Sequence, residues 1–218
     1  MQLETLDLIQ LHCPPTQVYE RPEIFELFDR LREEGKIRHL GVSIEKVSEG
    51  LRALKYPNVT SIQVIFNMFR QRPATELFSE AARHDVGLIV RVPLASGLLT
   101  GKFSPRTVFA PDDHRHFNRD GAAFDKGETF SGVDYATGLA AVEALKAVFP
   151  AQPNLAPSAL RWVLMFAEVS CVIPGASDPG QLRSNLQAVE LPALTATQME
   201  AVRSIYDQRI KPLVHGSW

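Results

Sequence analysis

Apolar and polar residues follow two different periods along this chain, and the two periods alternate. Five short apolar runs, several of them rich in β-branched residues, predict strands at residues 6–12, 39–44, 61–67, 87–94 and 169–174. Apolar residues at helical spacing predict helices at residues 22–31, 45–54, 75–84, 136–149, 156–166, 179–189 and 197–208. This alternation is typical of a parallel sheet of right-handed βαβ units, in either an open doubly wound sheet or a closed barrel.

The first apolar run carries a histidine to its end. Leu8, Ile9 and Leu11 fit a strand that is buried on both faces. Pro14-Pro15 cannot donate ladder hydrogen bonds, so the strand must end near His12. Ligands bind at the carboxyl ends of parallel strands in α/β folds. His12 is therefore a candidate catalytic residue, although a lone histidine beside a strand end is more often structural.

Residues with turn and capping preferences mark where the helices begin and end. Pro22 suits the first turn of the first helix, and Gly35 suits its C-terminal end. Asp178 is available as the N-cap of the helix at 179–189. Thr197-Gln198-Met199-Glu200 forms a loose capping box for the last helix. The helix boundaries therefore fall in the segments between the predicted strands.

Residues 103–135 interrupt the alternation. The segment is rich in Asp, Gly, Pro, His and Phe and has no clean period. Compact domains rarely keep so long a loop unless it has a function. We therefore expect an insertion over the strand ends that closes on a substrate. Its most charged part, residues 112–120, we interpret as a solvated loop, with an acidic or polar substrate contact as the alternative.

Composition narrows the class of protein. With 218 residues of which 45% are hydrophobic, the chain is expected to form one domain over residues 1–218. A net charge of -2 gives no reason to expect nucleic acid or a membrane surface as partner, and no apolar run approaches the roughly 20 residues of a membrane span. Only Cys13 and Cys171 are cysteines, which favours a reducing cytoplasm. No metal site is expected, because the other histidines, including His84, His114, His116 and His215, lack ligand spacing.

Two features of the later strands suggest anion chemistry. The turn at 175–181 has small side chains before a helix N-terminus, which attracts phosphate, although an ordinary strand-to-helix connection has the same pattern. Arg91 lies inside an apolar strand, which is costly unless the guanidinium meets an anion or stacks on a ring. A salt bridge at the rim of a barrel is the alternative for Arg91.

Ser43 and Gln63 are polar residues at or near strand ends. The amide of Gln63 points to a different face from its strand neighbours, so it needs a partner there. A cofactor carboxamide and a neighbouring backbone group both fit that requirement. Ser43 fits either a cofactor contact or a cap on the following helix.

Taken together, five stretches at predicted strand ends resemble one family, the aldo-keto reductases. They are residues 6–14, 41–43, 62–67, 91–102 and 173–186, and they resemble the fourth to eighth strands of that family's barrel. The resemblance implies an α/β fold of the (β/α)8 TIM-barrel type that is incomplete, with about five βα units present and the first three missing. The chain is then an N-terminally truncated domain that corresponds to the C-terminal two thirds of the family.

The resemblance also implies a role for each candidate residue. It implies a catalytic role for His12 and contacts to the nicotinamide carboxamide from Ser43 and Gln63. Contacts to the nicotinamide and pyrophosphate are implied for Arg91, Val92, Pro93, Leu94, Gly97 and Lys102, with Arg91 stacking through its guanidinium plane. Contacts to the adenosine phosphate are implied for Gly175, Ala176, Ser177, Asp178, Gln181 and Asn185.

The implied activity is NAD(P)H-dependent reduction of an aldehyde or ketone to an alcohol, with a small-molecule carbonyl compound as substrate. NADP(H) is the family's usual cofactor. NAD stays open because Ser177 and Asp178 stand where NADPH-preferring members often place a basic residue, and an aspartate repels a 2′-phosphate. Ile44 stands where many relatives carry an asparagine, which removes one carboxamide contact.

The resemblance leaves part of the family's catalytic set unmatched. The tyrosine, lysine and aspartate of that set belong to the first three strands, and no tyrosine here matches the proton-donor motif: Tyr19, Tyr56, Tyr135 and Tyr206. We therefore expect little or no turnover by this chain alone, and self-association through open sheet edges. The alternatives are a non-catalytic NADP(H)-binding or regulatory subunit, and an open α/β sheet of unrelated function.

Overall fold

One parallel sheet of five strands lies at the centre of the computed structural model, which describes residues 3–151 and 154–218. The strands are β1 (Leu6–His12), β2 (Ile37–Ile44), β3 (Val59–Ile65), β4 (Gly87–Arg91) and β5 (Val169–Val172). Each strand pairs in parallel with the next, in the order β1-β2-β3-β4-β5. This confirms the α/β fold and excludes the doubly wound sheet for the described strands, because in that fold the strand order reverses at a switch point.

Helices follow the strands as the periodicity predicts, and two further short helices, at residues 114–117 and 211–214, were not predicted. They are α1 (Pro22–Glu33), α2 (Val47–Ala53), α3 (Arg72–Glu76), α4 (Phe78–Arg83), α5 (His114–Phe117), α6 (Tyr135–Val148), α7 (Ala156–Val163), α8 (Pro179–Glu190), α9 (Ala196–Ile205) and α10 (Lys211–Val214). Pro22 begins α1 as predicted, and Gly35 follows its end at a φ of 71°, a conformation that favours glycine. Among the described residues, none of these helices is both long and apolar enough to cross a bilayer.

Several predicted boundaries differ from the structure by a few residues, and three larger differences have a visible cause. The predicted helix at 75–84 is two short helices, α3 and α4, with the fully buried Leu77 between them. The fourth strand ends at Arg91, because Val92 turns the chain with a φ of 51°. The capping box of the last helix is formed by Thr195, whose hydroxyl accepts from the Gln198 amide at 3.2 Å, so the expected box at 197–200 is wrong.

The two outer strands are less buried than their sequences predict. Leu8 of β1 is 39% exposed, so the expectation that β1 is buried on both faces is wrong. The reason is its position, since β1 is an edge strand that pairs only with β2 among the described strands. On α8, which follows β5, an apolar row is also exposed: Leu182, Leu186 and Val189.

The core lies on the central strands and holds their carboxyl ends in place. Val42, Ile62 and Val90 of β2, β3 and β4 are fully buried. Phe66 follows β3 and stacks on Trp162 of α7 with ring centroids 5.0 Å apart. Ser43, Gln63 and Arg91, the polar candidates of these strands, lie at the ends that this packing fixes.

Residues 103–135 form a structured cover. Beside α5 the segment contains two short 3₁₀ turns, Lys126–Glu128 and Phe130–Gly132. Asn67, which follows β3, donates through Nδ2 to Ser131 Oγ at 2.9 Å, so the segment lies over the strand ends. The interpretation of residues 112–120 as a solvated loop is wrong at Asn118, which is fully buried and accepts from two backbone amides.

Candidate functional site

Three predicted site residues lie in one row across β1, β2 and β3. His12 pairs in register with Ser43, and Ser43 pairs with Gln63. The Ser43 hydroxyl donates to Gln63 Oε1 at 3.3 Å, and Gln63 Nε2 donates to Gln10 Oε1 at 3.0 Å. Ser43 does not cap α2, whose N-cap is Lys46. The row therefore joins an exposed imidazole to polar groups that hydrogen-bond one another.

Arg91 lies in the salt bridge that the sequence leaves as an alternative to ring stacking. Its Nη2 lies 2.9 Å from Glu45 Oε1, and its Nη1 forms an ion pair with Glu128. Only 6% of Arg91 is exposed, so these partners are what makes its charge tolerable in the interior. Burial acts to lower the pKa of Arg91, but Glu128 and Glu45 hold it above its ordinary value, so the guanidinium stays charged.

Glu45 and Glu128 come from very different parts of the chain. Glu45 directly follows β2, and its position after a strand end is the signal that could have identified it. Glu128 lies in the aperiodic segment, and nothing in its sequence context points to Arg91. Burial raises the pKa of the Glu45 carboxyl although Arg91 acts to lower it. A pair assembled in this way depends on the cover being closed over β4.

Cys13 completes this buried cluster. Its Sγ lies 3.5 Å from Ser43 Oγ and accepts a contact of 3.5 Å from Arg91 Nη2. Burial raises the pKa of the Cys13 thiol to about 11, so the thiol is protonated at neutral pH. Ligand atoms of Cys13, Glu45 and Glu128 all lie within 4.8 Å of one another, a grouping that the expectation of no metal site did not consider. Arg91 already forms an ion pair with each of the two carboxylates at this position.

Two adjoining cavities of about 620 Å³ and about 440 Å³ form a groove beside the cluster. Predicted cofactor residues in the first cavity are Val92, Pro93, Leu94, Gly97, Gly175, Ala176, Ser177 and Gln181. Those in the second are Leu94, Gly97, Lys102, Gly175, Asp178, Gln181 and Asn185. The remaining candidates, His12, Ser43, Gln63 and Arg91, are outside the set of described residues that line these two cavities.

One wall of the groove is the loop after β4, whose backbone is unusual. Val92, Ala95 and Ser96 have φ values of 51°, 47° and 55°, which side chains with a Cβ rarely adopt. Hydrogen bonds support this conformation: Asn67 Nδ2 donates to the Val92 carbonyl at 3.0 Å, and Ser96 Oγ donates to the Glu128 carbonyl at 2.8 Å. The cover and the strand ends therefore hold the loop in a shape that leaves the groove open.

The other wall is the turn before α8. Asp178 caps this helix as predicted, accepting from the Gln181 amide at 2.9 Å. Gln181 in turn accepts from the Ser177 amide at 3.0 Å, and Asn185 Nδ2 donates to the Gly175 carbonyl at 3.2 Å. A Cβ at Gly175 would meet no atom of the described chain within 4 Å, so the space beside this backbone is free for a ligand. The turn is fixed by its own side chains and faces an open cavity.

Arg115 of α5 lines both cavities, although the sequence placed it in a solvated loop. Its Nε donates to both carboxylate oxygens of Asp113, at 2.9 and 3.0 Å, and its Cζ lies 4.8 Å from the Phe109 ring centroid. The hydrogen bonds from Arg115 lower the pKa of Asp113 to about 2, and the Asp113 carboxylate raises the pKa of Arg115. A guanidinium that is paired with a carboxylate and has a fixed orientation therefore lines the groove.

Comparison with known proteins decides the family. A model described as the aldo/keto reductase family matches residues 1–207. This chain belongs to the aldo/keto reductase family. It is 29% identical over 210 residues to "Uncharacterized oxidoreductase YqkF" of Bacillus subtilis, with 96% of this chain and 63% of that protein covered. The oxidoreductase family predicted from five sequence stretches is thereby confirmed.

Solved structures of aldo-keto reductases have the same fold. The holo form of aldo-keto reductase AKR11C1 from Bacillus halodurans matches with a TM-score of 0.71 and 28% identity, covering 94% of this chain and 62% of that one. Glycerol dehydrogenase AKR11B4 from Gluconobacter oxydans matches with a TM-score of 0.73 and 27% identity, covering 96% and 61%. The aldo-keto reductase chain described here thus spans less than two thirds of these relatives, so the expected share of two thirds is too large.

The tyrosines of this aldo-keto reductase chain are occupied elsewhere. Tyr56 Oη donates to the Tyr19 carbonyl at 2.8 Å, Tyr135 Oη donates to the Ser104 carbonyl at 3.0 Å, and Tyr206 Oη lies 2.7 Å from His215 Nδ1. Tyr19 Oη is buried without a partner among the described residues, and burial raises the pKa of its phenol. Three of the four hydroxyls are thus engaged in loops and helices, and the fourth is shielded from solvent.

Proposed function

We propose that this chain belongs to an NAD(P)H-dependent reductase of aldehydes or ketones, with NADP(H) as the first cofactor to test and NAD(H) beside it. The observation that carries the proposal is the groove between the loop after β4 and the turn before α8. Its two cavities have the size of small-molecule sites, and it lies at the carboxyl ends of parallel strands, where α/β enzymes bind ligands.

The groove fits the phosphate-bearing half of a dinucleotide. Gly175 leaves open space beside its backbone, and the N-terminus of the twelve-residue helix α8 points the positive end of its dipole at the turn. Gly97 and Lys102 lie on the opposite wall, where a backbone without a side chain and an ammonium group suit a close anionic partner. When bound, a nicotinamide cofactor supplies the hydride for carbonyl reduction.

The site proposed for the carboxamide of the nicotinamide ring, at Ser43 and Gln63, is already occupied by a hydrogen bond within the protein. Ser43 and Gln63 have the donors and acceptors that an amide needs, but their side chains already hydrogen-bond each other. Binding there would exchange the 3.3 Å bond between Ser43 Oγ and Gln63 Oε1 for bonds to the ligand, which costs little since one hydrogen bond replaces another. Arg91 is held in its ion pairs, so we assign it to holding the cover rather than to stacking.

We further propose that the five strands are an arc of an eight-stranded barrel and that His12 is the member of the catalytic set within the described residues. The sequential parallel order of the strands and the coverage of 62% of AKR11C1 support this. His12 would hydrogen-bond the carbonyl oxygen and polarise it, with no tyrosine of the described chain placed as proton donor. On this proposal the chain binds cofactor but turns over little carbonyl substrate.

Titration calorimetry with NADPH and NADH tests binding, and NADPH oxidation with a panel of aldehydes tests turnover. We expect binding without appreciable oxidation. The variant Ala176→Glu places a carboxylate in the first cavity and is expected to weaken binding at least about tenfold by charge repulsion. Leu213→Glu, at an exposed residue of α10, is the matched control. Equal binding by both variants would remove the groove as the cofactor site, and turnover at an ordinary reductase rate would contradict the missing catalytic set.

We also propose that the chain self-associates through apolar residues exposed at the two ends of its sheet. Leu8 on β1 and the row Leu182, Leu186 and Val189 on α8 support this, because exposed strand edges and apolar patches promote association. Light scattering after size exclusion should show a mass above that of one chain. A single monomeric peak at every concentration would contradict self-association and leave the cofactor proposal unchanged.

A further inference from the structure

A separate cavity of about 360 Å³ lies between the end of α7 and the C-terminal helices α9 and α10. None of the described residues that line it also lines either cavity of the groove. Its volume falls within the range of small-molecule sites, roughly 300–1,000 Å³. The proposed carbonyl reduction gives this cavity no role.

The apolar part of the lining is rich in aromatic rings. Trp162 and Phe166 meet edge to face, with ring centroids 4.9 Å apart. Trp162 is buried and stacks on Phe66, which fixes the position of its indole. Met199 of α9 lines the same cavity. Because aromatic rings and a flexible thioether pack well against a flat ring, this part of the lining favours an aromatic ligand.

A neutral histidine adds a hydrogen-bond donor to the lining. The Tyr206 hydroxyl accepts from the Gln71 backbone amide and lies 2.7 Å from His215 Nδ1. Burial raises the pKa of Tyr206 to about 12 and lowers the pKa of His215, so the phenol is protonated and the imidazole is neutral. Since the Tyr206 oxygen already accepts from Gln71, its hydroxyl donates to Nδ1. The imidazole proton is therefore on Nε2, which has no partner among the described residues.

The end of the cavity beside this histidine carries excess positive charge. Lys211 lies one helical turn before His215, and its Nζ is 3.1 Å from Asp207 Oδ1. Arg203 shares that carboxylate, with 3.8 Å between Nε and Oδ2. Glu200, the other acid of the lining, lies roughly 10 Å from Asp207 along the helix axis. Two cations thus share one carboxylate at the histidine end.

The turn that joins α9 to α10 has irregular helical geometry. Tyr206–Ile210 is a π-helical turn, in which the Lys211 amide donates to the Tyr206 carbonyl five residues earlier. Such turns are rare and are frequent at functional sites. This turn sets the positions of Lys211 and His215 relative to Arg203, so it shapes the charged end of the cavity.

We propose that this cavity binds a small aromatic carboxylate. The ring packs against Trp162 and Phe166, and the carboxylate accepts from His215 Nε2–H and pairs with Lys211. A charge-assisted hydrogen bond and excess positive charge favour an acid over a neutral or cationic ligand. The inference goes beyond the proposed function, because the site lies apart from the groove and needs no cofactor.

Titration calorimetry with cinnamate, cinnamamide and cinnamylamine tests the class of ligand, because the three probes have similar shapes and different charges. We expect cinnamate to bind about 10- to 100-fold more tightly than cinnamamide, as is typical for a hydrogen bond to a charged group. Cinnamylamine, a cation, should bind most weakly. Equal affinity for all three probes, or no binding of cinnamate at millimolar concentration, would overturn the inference.

A charge variant tests the predicted contact. Lys211→Gln should weaken cinnamate about five- to tenfold and change cinnamamide less than about twofold, because only the acid loses an ion pair. Arg209→Gln is the matched control, since Arg209 is exposed on the same turn but is outside the lining. Equal effects of the two variants on cinnamate would assign them to general surface charge and overturn the contact.

A cavity-filling variant tests the location. Ala196→Trp, at an exposed residue of the lining, should weaken cinnamate at least about tenfold by occupying the space. Ala167→Trp, at an exposed residue outside the lining, should have no effect. Thermal melting checks the fold of each variant, and Lys211→Gln decides if Ala196→Trp is unstable.

Competition separates this site from the proposed function. Excess NADPH should leave the dissociation constant of cinnamate unchanged, because the described linings of the two sites do not overlap. Displacement of cinnamate by NADPH would place it in the groove and overturn the inference while supporting the cofactor proposal. If NADPH does not bind and cinnamate does, the cofactor proposal fails and the inference stands.

Discussion

The cluster around Arg91 and the groove beside it each contain an arginine, and the two arginines differ in how many of their donors have protein partners. Arg91 is buried and forms ion pairs with two carboxylates of the protein, so its charge is not available to a ligand. Arg115 has one carboxylate partner, lines the groove, and has no partner for its Nη1 among the described residues. The first arrangement joins the cover to the strand ends, and the second is suited to a ligand. The comparison shows that a strand-end arginine is not by itself evidence of ligand binding.

Breaking the Arg91 cluster should have the largest effect on stability. Arg91→Met leaves Glu45 and Glu128 half-buried without their counter-charge, and removing one partner of a buried pair costs about 3 kcal/mol or more of unfolding free energy. Chemical denaturation of this variant measures the loss. Arg83→Met is the matched control, because Arg83 pairs with Glu80 at an exposed site and should cost less than about 1 kcal/mol.

The same variant has a pH dependence of known sign. The pKa of Glu45 is already raised by burial, and losing Arg91 removes an influence that lowers it. An acid whose folded-state pKa is raised stabilises the fold below its unfolded pKa and loses that contribution as pH rises through the folded value. The penalty of Arg91→Met should therefore be smaller at about pH 4 than at about pH 8. An equal penalty at both pH values would place the cost in lost packing.

The periodic parts of the chain were predictable, and the aperiodic cover was not. Strand and helix alternation gave the parallel sheet because buried strands and amphipathic helices each impose their own spacing. Edge exposure was missed at Leu8, since a strand's neighbours depend on the whole sheet and not on its own residues. Glu128 was missed because its partner lies 37 residues away, and only the folded cover brings the two together.

The candidate site also contains some residues that local sequence predicts and others that only tertiary packing brings into place. Asp178 and the glycines of the groove follow local rules for caps and turns, so their positions were accessible from sequence. Arg115 depends on tertiary packing against Phe109, which a charged local sequence does not reveal. Arg91 was recognised as unusual from its apolar surroundings, but its partners could be identified only in the structure.

The two cysteines allow a test of how well the cluster is shielded, because Cys13 lies in the buried cluster and Cys171 lies on the exposed surface. Cys13 has a pKa of about 11, so only about one molecule in a thousand carries the thiolate at about pH 8. Cys171 on the edge strand β5 is exposed and unpaired. Alkylation followed by peptide mass spectrometry should modify Cys171 at least about tenfold faster than Cys13. Comparable alkylation rates at the two cysteines would mean that the cluster opens readily in solution. In the variant Glu128→Gln, which loses one ion pair to Arg91, the alkylation rate at Cys13 should rise.

The smallest expected effect is a change in cofactor preference on removing Asp178, which both caps α8 and places a negative charge at the groove. Asp178 and Asp134 both cap helices, with carboxylates that accept a backbone amide at 2.9 Å, and each change to alanine should cost about 1 kcal/mol of unfolding free energy. Only Asp178 lines the groove. Asp178→Ala should therefore bind NADPH more tightly, relative to NADH, because a negative charge near the 2′-phosphate is gone. Asp134→Ala should leave that ratio unchanged, and a ratio that shifts equally in both variants would show that helix stability, not charge, controls cofactor choice.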